Sequence, residues 1–86
     1  MVLRASTTVR IWGTENSWSL AGKEGGAKEC VVTLEIQGDQ RSDGYQLVMS
    51  PAGFLTADSW HESKDDALRT AAEMFGVTRD DWKLVD

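Results

Sequence analysis

Residues 29–37 constrain the fold more than any other part of the chain, because apolar and polar side chains alternate along E-C-V-V-T-L-E-I-Q. Such alternation is typical of a strand with one apolar side, which must be packed against another element. The apolar side would carry Cys30, Val32, Leu34 and Ile36. The chain therefore needs a sheet with one covered face, and Cys30 is expected to be buried and inert in that face.

Three further segments have strand character. Residues 7–12 are rich in β-branched side chains, and residues 45–49 alternate. Residues 54–58 would follow a turn at Ser50-Pro51-Ala52-Gly53, since proline presets φ at the second turn position. Around Trp18 the pattern allows one more short strand. The sequence predicts an antiparallel meander of four or five strands.

Residues 63–76 have the period and the end signals of a helix. Ser63 and Asp66 have the spacing of a capping box, and Gly76 suits the C-terminal cap. The apolar stripe of this helix would be Leu68, Ala71, Ala72 and Phe75. Trp60 and Trp82 flank the helix and are expected to pack against its ends. The predicted fold is α+β, a single domain over residues 1–86, with one C-terminal helix on one face of the meander.

Composition excludes several classes of function. Fourteen acidic residues stand against 9 basic ones, giving a formal net charge of -5, which disfavours direct binding of nucleic-acid phosphates. One cysteine cannot form an internal disulfide, and a lone thiol suits a reducing compartment. No apolar run approaches the length of a membrane span or a signal peptide. We therefore expect a cytoplasmic protein with no membrane association.

The densest polar cluster lies where the last strand meets the helix. Asp58, His61 and Glu62 could bind a divalent metal, or Asp58 and His61 could form an acid/base pair. The spacing matches no metal motif, and nearby Asp65 and Asp66 stand where a helix N-terminus favours acids. The sequence therefore predicts no catalytic set, no metal and no cofactor, and a small metal-dependent or acid/base enzyme at this junction is the alternative.

A second candidate site lies on the sheet face opposite the helix. If Val9 and Ile11 meet the helix, alternation places Trp12 on the uncovered face. The same alternation adds Arg10, Val31, Thr33, Glu35 and Val48. Tryptophan and arginine beside apolar residues are typical of a protein-binding patch. We predict that this face binds another protein.

Residues 44–77, G-Y-Q-L-V-M-S-P-A-G-F-L-T-A-D-S-W-H-E-S-K-D-D-A-L-R-T-A-A-E-M-F-G-V, with the following D-D-W, resemble the C-terminal half of small uncharacterised bacterial proteins. Those proteins share a strand ending in T-x-D-[ST]-W-H, a helix ending in F-G-[VI] and a downstream tryptophan. The resemblance implies a bacterial origin and a strand–turn–strand–helix order. It supplies no activity and no functional residues.

The leading hypothesis is a non-enzymatic protein-interaction module. Its size and acidity resemble, more loosely, those of immunity proteins, so an immunity-type or regulatory inhibitor is its most concrete form. Residues 58–86 carry eight acidic and four basic residues, which would steer the chain toward a basic partner. A structural homo-oligomer subunit, such as a homodimer formed through an unpaired strand edge, is a further alternative.

Overall fold

A curled antiparallel sheet and one helix make up the described chain. The computed structural model describes residues 2–14, 16–20, 28–38 and 44–85. The strands are β1 (Val2–Thr14), β2 (Ser17–Leu20), β3 (Lys28–Gln37), β4 (Tyr45–Pro51), β5 (Ala57–His61) and β6 (Lys83–Leu84). The helix α1 spans Lys64–Phe75, and a 3₁₀ helix spans Arg79–Asp81. The predicted α+β class, an antiparallel sheet with one helix, agrees with these elements.

The strand order differs from a simple meander. The strands lie in the order β2-β1-β3-β4-β5, and β6 pairs with β1. β3 therefore pairs with β1 rather than with β2, along ten residue pairs from Val2↔Gln37 to Ile11↔Lys28. The prediction of four or five strands was also too small for the described residues, because β6 adds a short strand beyond Trp82. Residues 21–27 join β2 to β3 and lie outside the described residues, as does most of the turn at residues 38–44 predicted to precede β4.

The last long strand begins later than predicted. Residues 54–58 were expected to form it, but β5 spans Ala57–His61 and Phe54 lies in the preceding turn. The turn is longer because Gly53 has φ 83° and the Phe54 amide donates to the Pro51 carbonyl at 3.1 Å. A glycine in the left-handed region redirects the chain before it can extend again. Pairing resumes at Ala57, opposite Met49.

The two faces of the sheet differ in the way that the alternation predicts. The face toward α1 carries the fully buried side chains of Ile11, Val32, Leu34, Ile36 and Leu47. Cys30 is buried in the same layer, as expected, and its Sγ lies 3.4 Å from the Ala52 carbonyl oxygen. The opposite face is not covered by any described element.

The helix begins and ends where the sequence predicts. The Ser63 hydroxyl accepts a hydrogen bond from the Asp66 amide at 3.1 Å, and Gly76 adopts φ 73° at the C-terminal cap. The buried stripe matches the prediction in part: Ala71 and Phe75 are buried and Leu68 packs partly buried against the core. Ala67 joins them, whereas Ala72 is exposed. A stripe of two alanines lets the helix approach the sheet closely, and Phe75 fills the space at its C-terminal end.

The chain end packs beside α1 and returns to β1. Trp82 is partly buried against the core, which includes Phe75 at the end of the helix. Trp60 does not seal the other end, because it points to the uncovered face, where it is 59% exposed. Alternation along β5 explains the difference, since His61 and Ser59 take the inward positions. Beyond Trp82, β6 pairs with Leu3 and Arg4 at the start of β1.

The β1–β2 hairpin curls over toward the β4–β5 turn. The indole Nε1–H of Trp18 donates to the Leu55 carbonyl oxygen at 2.6 Å. This hydrogen bond joins the first strand edge of the sheet to a turn three strands away in the sheet order. The sheet is consequently rolled into a half-barrel around α1.

Candidate functional site

The six residues predicted to share the uncovered face do lie on one face. Arg10 and Trp12 are on β1, Val31, Thr33 and Glu35 are on β3, and Val48 is on β4. The register confirms their common side, because Val31 is opposite Thr8 and Glu35 is opposite both Arg4 and Val48. Of these six, two large apolar side chains are open to solvent: Trp12 is 44% exposed and Val31 is 52% exposed.

Glu35 is already engaged within this face. Nε and Nη2 of Arg4 both donate to its Oε2, at 2.8 Å and 2.6 Å, and the Gln37 side-chain amide donates to Oε1 at 3.0 Å. The hydrogen bonds from Arg4 and then from Gln37 hold the pKa of Glu35 below its ordinary value. Arg10, by contrast, forms no ion pair with a described residue. Of the two charged side chains predicted for the face, Arg10 is therefore the one available to a partner.

Trp60 belongs to the same face and was missed from the sequence. It is opposite Gln46 on β4 and lies close to Gly44, where an added Cβ would meet its indole ring at 2.4 Å. With Trp12 it gives the face an exposed aromatic residue near each of two opposite borders. The alternation of A-D-S-W-H places Trp60 on the side opposite Ser59 and His61, but this inference requires a strand at Ala57–His61 rather than at residues 54–58.

The structure does not bring together the three residues of the predicted alternative metal or acid/base site. Asp58 points to the uncovered face and His61 to the buried face, because their separation of three residues along β5 puts them on opposite sides. Glu62 follows the strand and is exposed. Among the described residues, no group of three His, Cys, Asp or Glu side chains could hold a metal ion.

His61 instead joins two residues that sequence reasoning did not connect with it. Its Nδ1 lies 2.7 Å from Oδ2 of Asp66 in the first turn of α1, and its Nε2 lies 2.7 Å from the Ser59 hydroxyl. A carboxylate accepts hydrogen bonds, so Nδ1 donates to Asp66, and in the tautomer that leaves Nε2 without a proton the Ser59 hydroxyl donates to it. The ring is 7% exposed, so both of its nitrogens are satisfied inside the protein.

The same order of atoms occurs in the Ser-His-Asp triads of hydrolases. A nucleophilic serine also needs a cleft for the substrate and hydrogen-bond donors for the developing oxyanion. Ser59 lines none of four cavities formed by the described residues, including the apolar groove beside Trp18. We interpret the network as a clamp that fastens the first turn of α1 to the end of β5.

Replacing the histidine tests this interpretation. We expect His61→Ala to lower the free energy of unfolding by about 2–3 kcal/mol, because the change removes a buried ring and leaves two polar partners without it. Asp58→Ala, on the exposed side of the same strand, should change it by less than about 0.5 kcal/mol. Urea unfolding measures both. Equal effects of the two substitutions would contradict the clamp.

A groove on the helix side of the sheet was also missed from the sequence. It has a volume of about 500 Å³ and lies between the β1–β2 hairpin, the β4–β5 turn and the end of α1. Its apolar lining includes Trp18, Leu20, Met49, Leu55, Ala57 and Met74. The groove exists because the hairpin curls toward Leu55, a long-range contact that no local pattern contains.

The uncovered face, the clamp and the groove are the features from which a function can be argued. Among the described residues, no helix is both long enough and apolar enough to cross a bilayer. Comparison of the chain with protein-family models, with curated proteins and with solved structures found no match.

Proposed function

We propose that this chain is a non-enzymatic, cytoplasmic protein-interaction module that binds a protein partner through its uncovered sheet face. The observation that supports this most directly is the exposure of Trp12 and Val31 on the face opposite the one that carries the core. An immunity-type or regulatory inhibitor, of bacterial origin, is the most concrete form of the proposal. In that form the face would cover a surface of the partner and block it sterically.

The chemistry of the face agrees with such a role. Tryptophan and arginine are the residues that most often dominate the energetics of protein interfaces. Trp12 and Arg10 are two positions apart on β1 and therefore share this face, and Arg10 forms no ion pair with a described residue. Threonine and valine around them add a flat surface of low conformational entropy. The Arg4–Glu35 pair would form a polar border, because its charges already satisfy one another.

The acidic residues of this chain also indicate the charge of the proposed partner. Glu62, Asp65, Glu73 and Asp80 are exposed on the helix side or at the chain end. Their field would speed association with a basic protein and make the association rate fall with salt. The proposed partner is therefore a protein with net positive charge.

The test is quantitative capture of partners from native cells with three forms of the protein. We expect Trp12→Ala to reduce recovery of a specific partner at least tenfold, the loss typical of an interface anchor. Because Trp12 is half exposed, the substitution should lower the free energy of unfolding of the protein by only about 1 kcal/mol. Leu55 is an exposed apolar residue away from the face, so Leu55→Ala should leave recovery of the partner unchanged.

Three results would contradict the proposal. One is a partner that depends on Leu55 but not on Trp12, and another is a loss of several kcal/mol in Trp12→Ala, which would mean that the indole is part of the core. The third is capture of the chain's own copies, supported by sedimentation at two concentrations. That result would favour the oligomer alternative, with β5 as the outer strand of the described sheet.

A further inference from the structure

Among the described residues, the outer edge of β1 is paired at its two ends but not between them. β6 pairs with Leu3 and Arg4, and β2 pairs with Ile11 and the residues after it. Both short strands lie on the side of β1 that faces away from β3. No described strand pairs with residues 5–10 on that side. We call this segment the β1 gap.

The backbone groups of the β1 gap can be assigned to a side. The Val85 amide donates to the Val2 carbonyl at 3.0 Å, so Val2 presents its peptide groups to the outer edge. Peptide groups alternate sides along a strand, and the uninterrupted register with β3 preserves this phase. Ser6, Thr8 and Arg10 therefore also present their N–H and C=O groups outward.

The hydrogen bonds of β3 confirm independently which residues of β1 direct their peptide groups to the outer edge. Val31 is the partner of Thr8 on β3, and its carbonyl accepts from the Ala52 amide on the far side at 3.0 Å. Val31 thus directs its peptide groups away from β1, which makes Thr8↔Val31 a non-hydrogen-bonded pair. Ser6, Thr8 and Arg10 are all exposed and make no hydrogen bond to a described residue on this edge.

Only an extended chain complements such an edge. The gap is six residues long, or about 20 Å at the rise of a strand, and offers donors and acceptors at alternate residues. Proteins usually protect free edges with proline, glycine bulges or central charges. Residues 5–10, A-S-T-T-V-R, contain none of these before Arg10, and their threonines and valine favour strand pairing.

The shape of the gap selects the kind of occupant. β2 and β6 lie beside the two ends of β1, one strand farther out than the gap. β1 of a second copy carries its own β2 and β6 at the same positions, so these four strands would collide before the two β1 strands could pair. A free peptide segment of five or six residues can. Thr7 and Val9 are half buried on the inner face, so small apolar side chains of the peptide would pack there.

Basic side chains at the two ends of the gap favour a peptide that carries an acidic residue. Arg10 lies at one end, and Lys83 is opposite Arg4 at the other end. Neither forms an ion pair with a described residue. A carboxylate on the outward side of the peptide, opposite Arg10, would pair with this guanidinium.

We propose that the β1 gap binds an extended peptide segment of a partner protein by strand addition, with small apolar side chains turned inward and an acidic side chain opposite Arg10. Main-chain hydrogen bonds to Ser6, Thr8 and Arg10 would provide the affinity, and the alternate side chains would provide the specificity. The site goes beyond the proposed function, because its hydrogen bonds come from backbone groups at the sheet edge, and Arg10 is the one side chain of the face that it uses.

The test uses a displayed library of random heptapeptides selected against the whole protein. We expect selected peptides to contain alternating small apolar residues and an acidic residue. In NMR titrations they should shift the amide resonances of Ser6, Thr8 and Arg10 and slow the hydrogen exchange of these three amides. Trp12→Ala should leave their affinity within a factor of about two, which separates this site from the proposed face.

Two matched variants and a modified peptide isolate the backbone contribution. Thr8→Pro removes an outward N–H that makes no bond to β3, and it should weaken binding at least tenfold, whereas Thr8→Val keeps the N–H and should not. Methylating the amides of the peptide that face the gap should abolish binding, and methylating the alternate amides should preserve it. The methylated peptides test the backbone hydrogen bonds even if Thr8→Pro does not fold.

Several outcomes would overturn the proposal. They are the absence of any selected peptide, selected peptides whose shifts map to the Trp12 face or to the apolar groove, and equal binding by both methylated series. Protection of the Ser6 and Thr8 amides in the free protein, together with sedimentation as a dimer, would show that a second copy occupies the edge. Loss of partner capture in Trp12→Ala with intact peptide binding would leave both proposals standing.

Discussion

Replacing Leu34 by alanine is expected to lower the free energy of unfolding by about 3–4 kcal/mol. Leu34 lies in the middle of β3, between Ala5 on β1 and Met49 on β4, and its side chain is fully buried. The sheet on one side and α1 on the other prevent neighbouring side chains from collapsing into the space. The substitution therefore combines lost apolar burial with a residual cavity. Urea unfolding with a common m-value measures the loss.

Val31→Ala is the matched control, since it changes a β-branched residue of the same strand on the opposite face. Its side chain is 52% exposed, so the expected loss is below about 1 kcal/mol. A small loss would also show that the face contributes little to stability and can be given to a partner. If Val31→Ala were as destabilising as Leu34→Ala, both faces of the sheet would be core, and the proposed interface would fail.

Gly13→Ala should lower the free energy of unfolding by about 3 kcal/mol or more. Gly13 has φ 128°, a conformation that residues with a Cβ rarely adopt, in the part of β1 that pairs with β2. An added Cβ would lie 2.1 Å from the Ser17 carbonyl oxygen and 2.8 Å from the Trp18 Cα. Both atoms belong to the backbone, so relief requires the hairpin itself to open.

Gly53→Ala separates the two components of that loss. Gly53 also has a positive φ, 83°, but nothing lies within 4 Å of an added Cβ. The expected cost is about 1–2 kcal/mol, due to the backbone conformation alone. The difference between the two variants measures the clash in the hairpin. Equal losses would mean that the β1–β2 hairpin adapts freely, and Trp18 fluorescence would then remain native in Gly13→Ala.

Local patterns were sufficient for most elements of this fold. The alternation of residues 29–37 predicted β3 within one residue, because that strand is buried on one side along its whole length. The capping residues Ser63 and Gly76 set the bounds of α1 through hydrogen bonds and a backbone conformation that are local in sequence. The same alternation placed the six residues of the candidate face on one side; their binding role remains a prediction.

Strand pairing and the clamp could not be predicted in this way. Alternation shows which side of a strand is apolar, but it does not say whether β3 pairs with β1 or with β2. The Ser59–His61–Asp66 network depends on where β5 ends relative to the first turn of α1. With the strand placed three residues too early, Ser59 and His61 were not recognised as neighbours on one face.

The pairing of β6 with β1 also determines how the molecule would respond to force. The Val85 amide and the Val2 carbonyl are hydrogen-bonded, so the two ends of the described chain lie side by side on antiparallel strands. Tension applied between these ends would pull β6 away from β1 perpendicular to the strands and break its few hydrogen bonds one after another. The ten-pair ladder between β1 and β3 would not resist that first step. The molecule would therefore peel open from β6 at low force while the rest of the sheet stays paired.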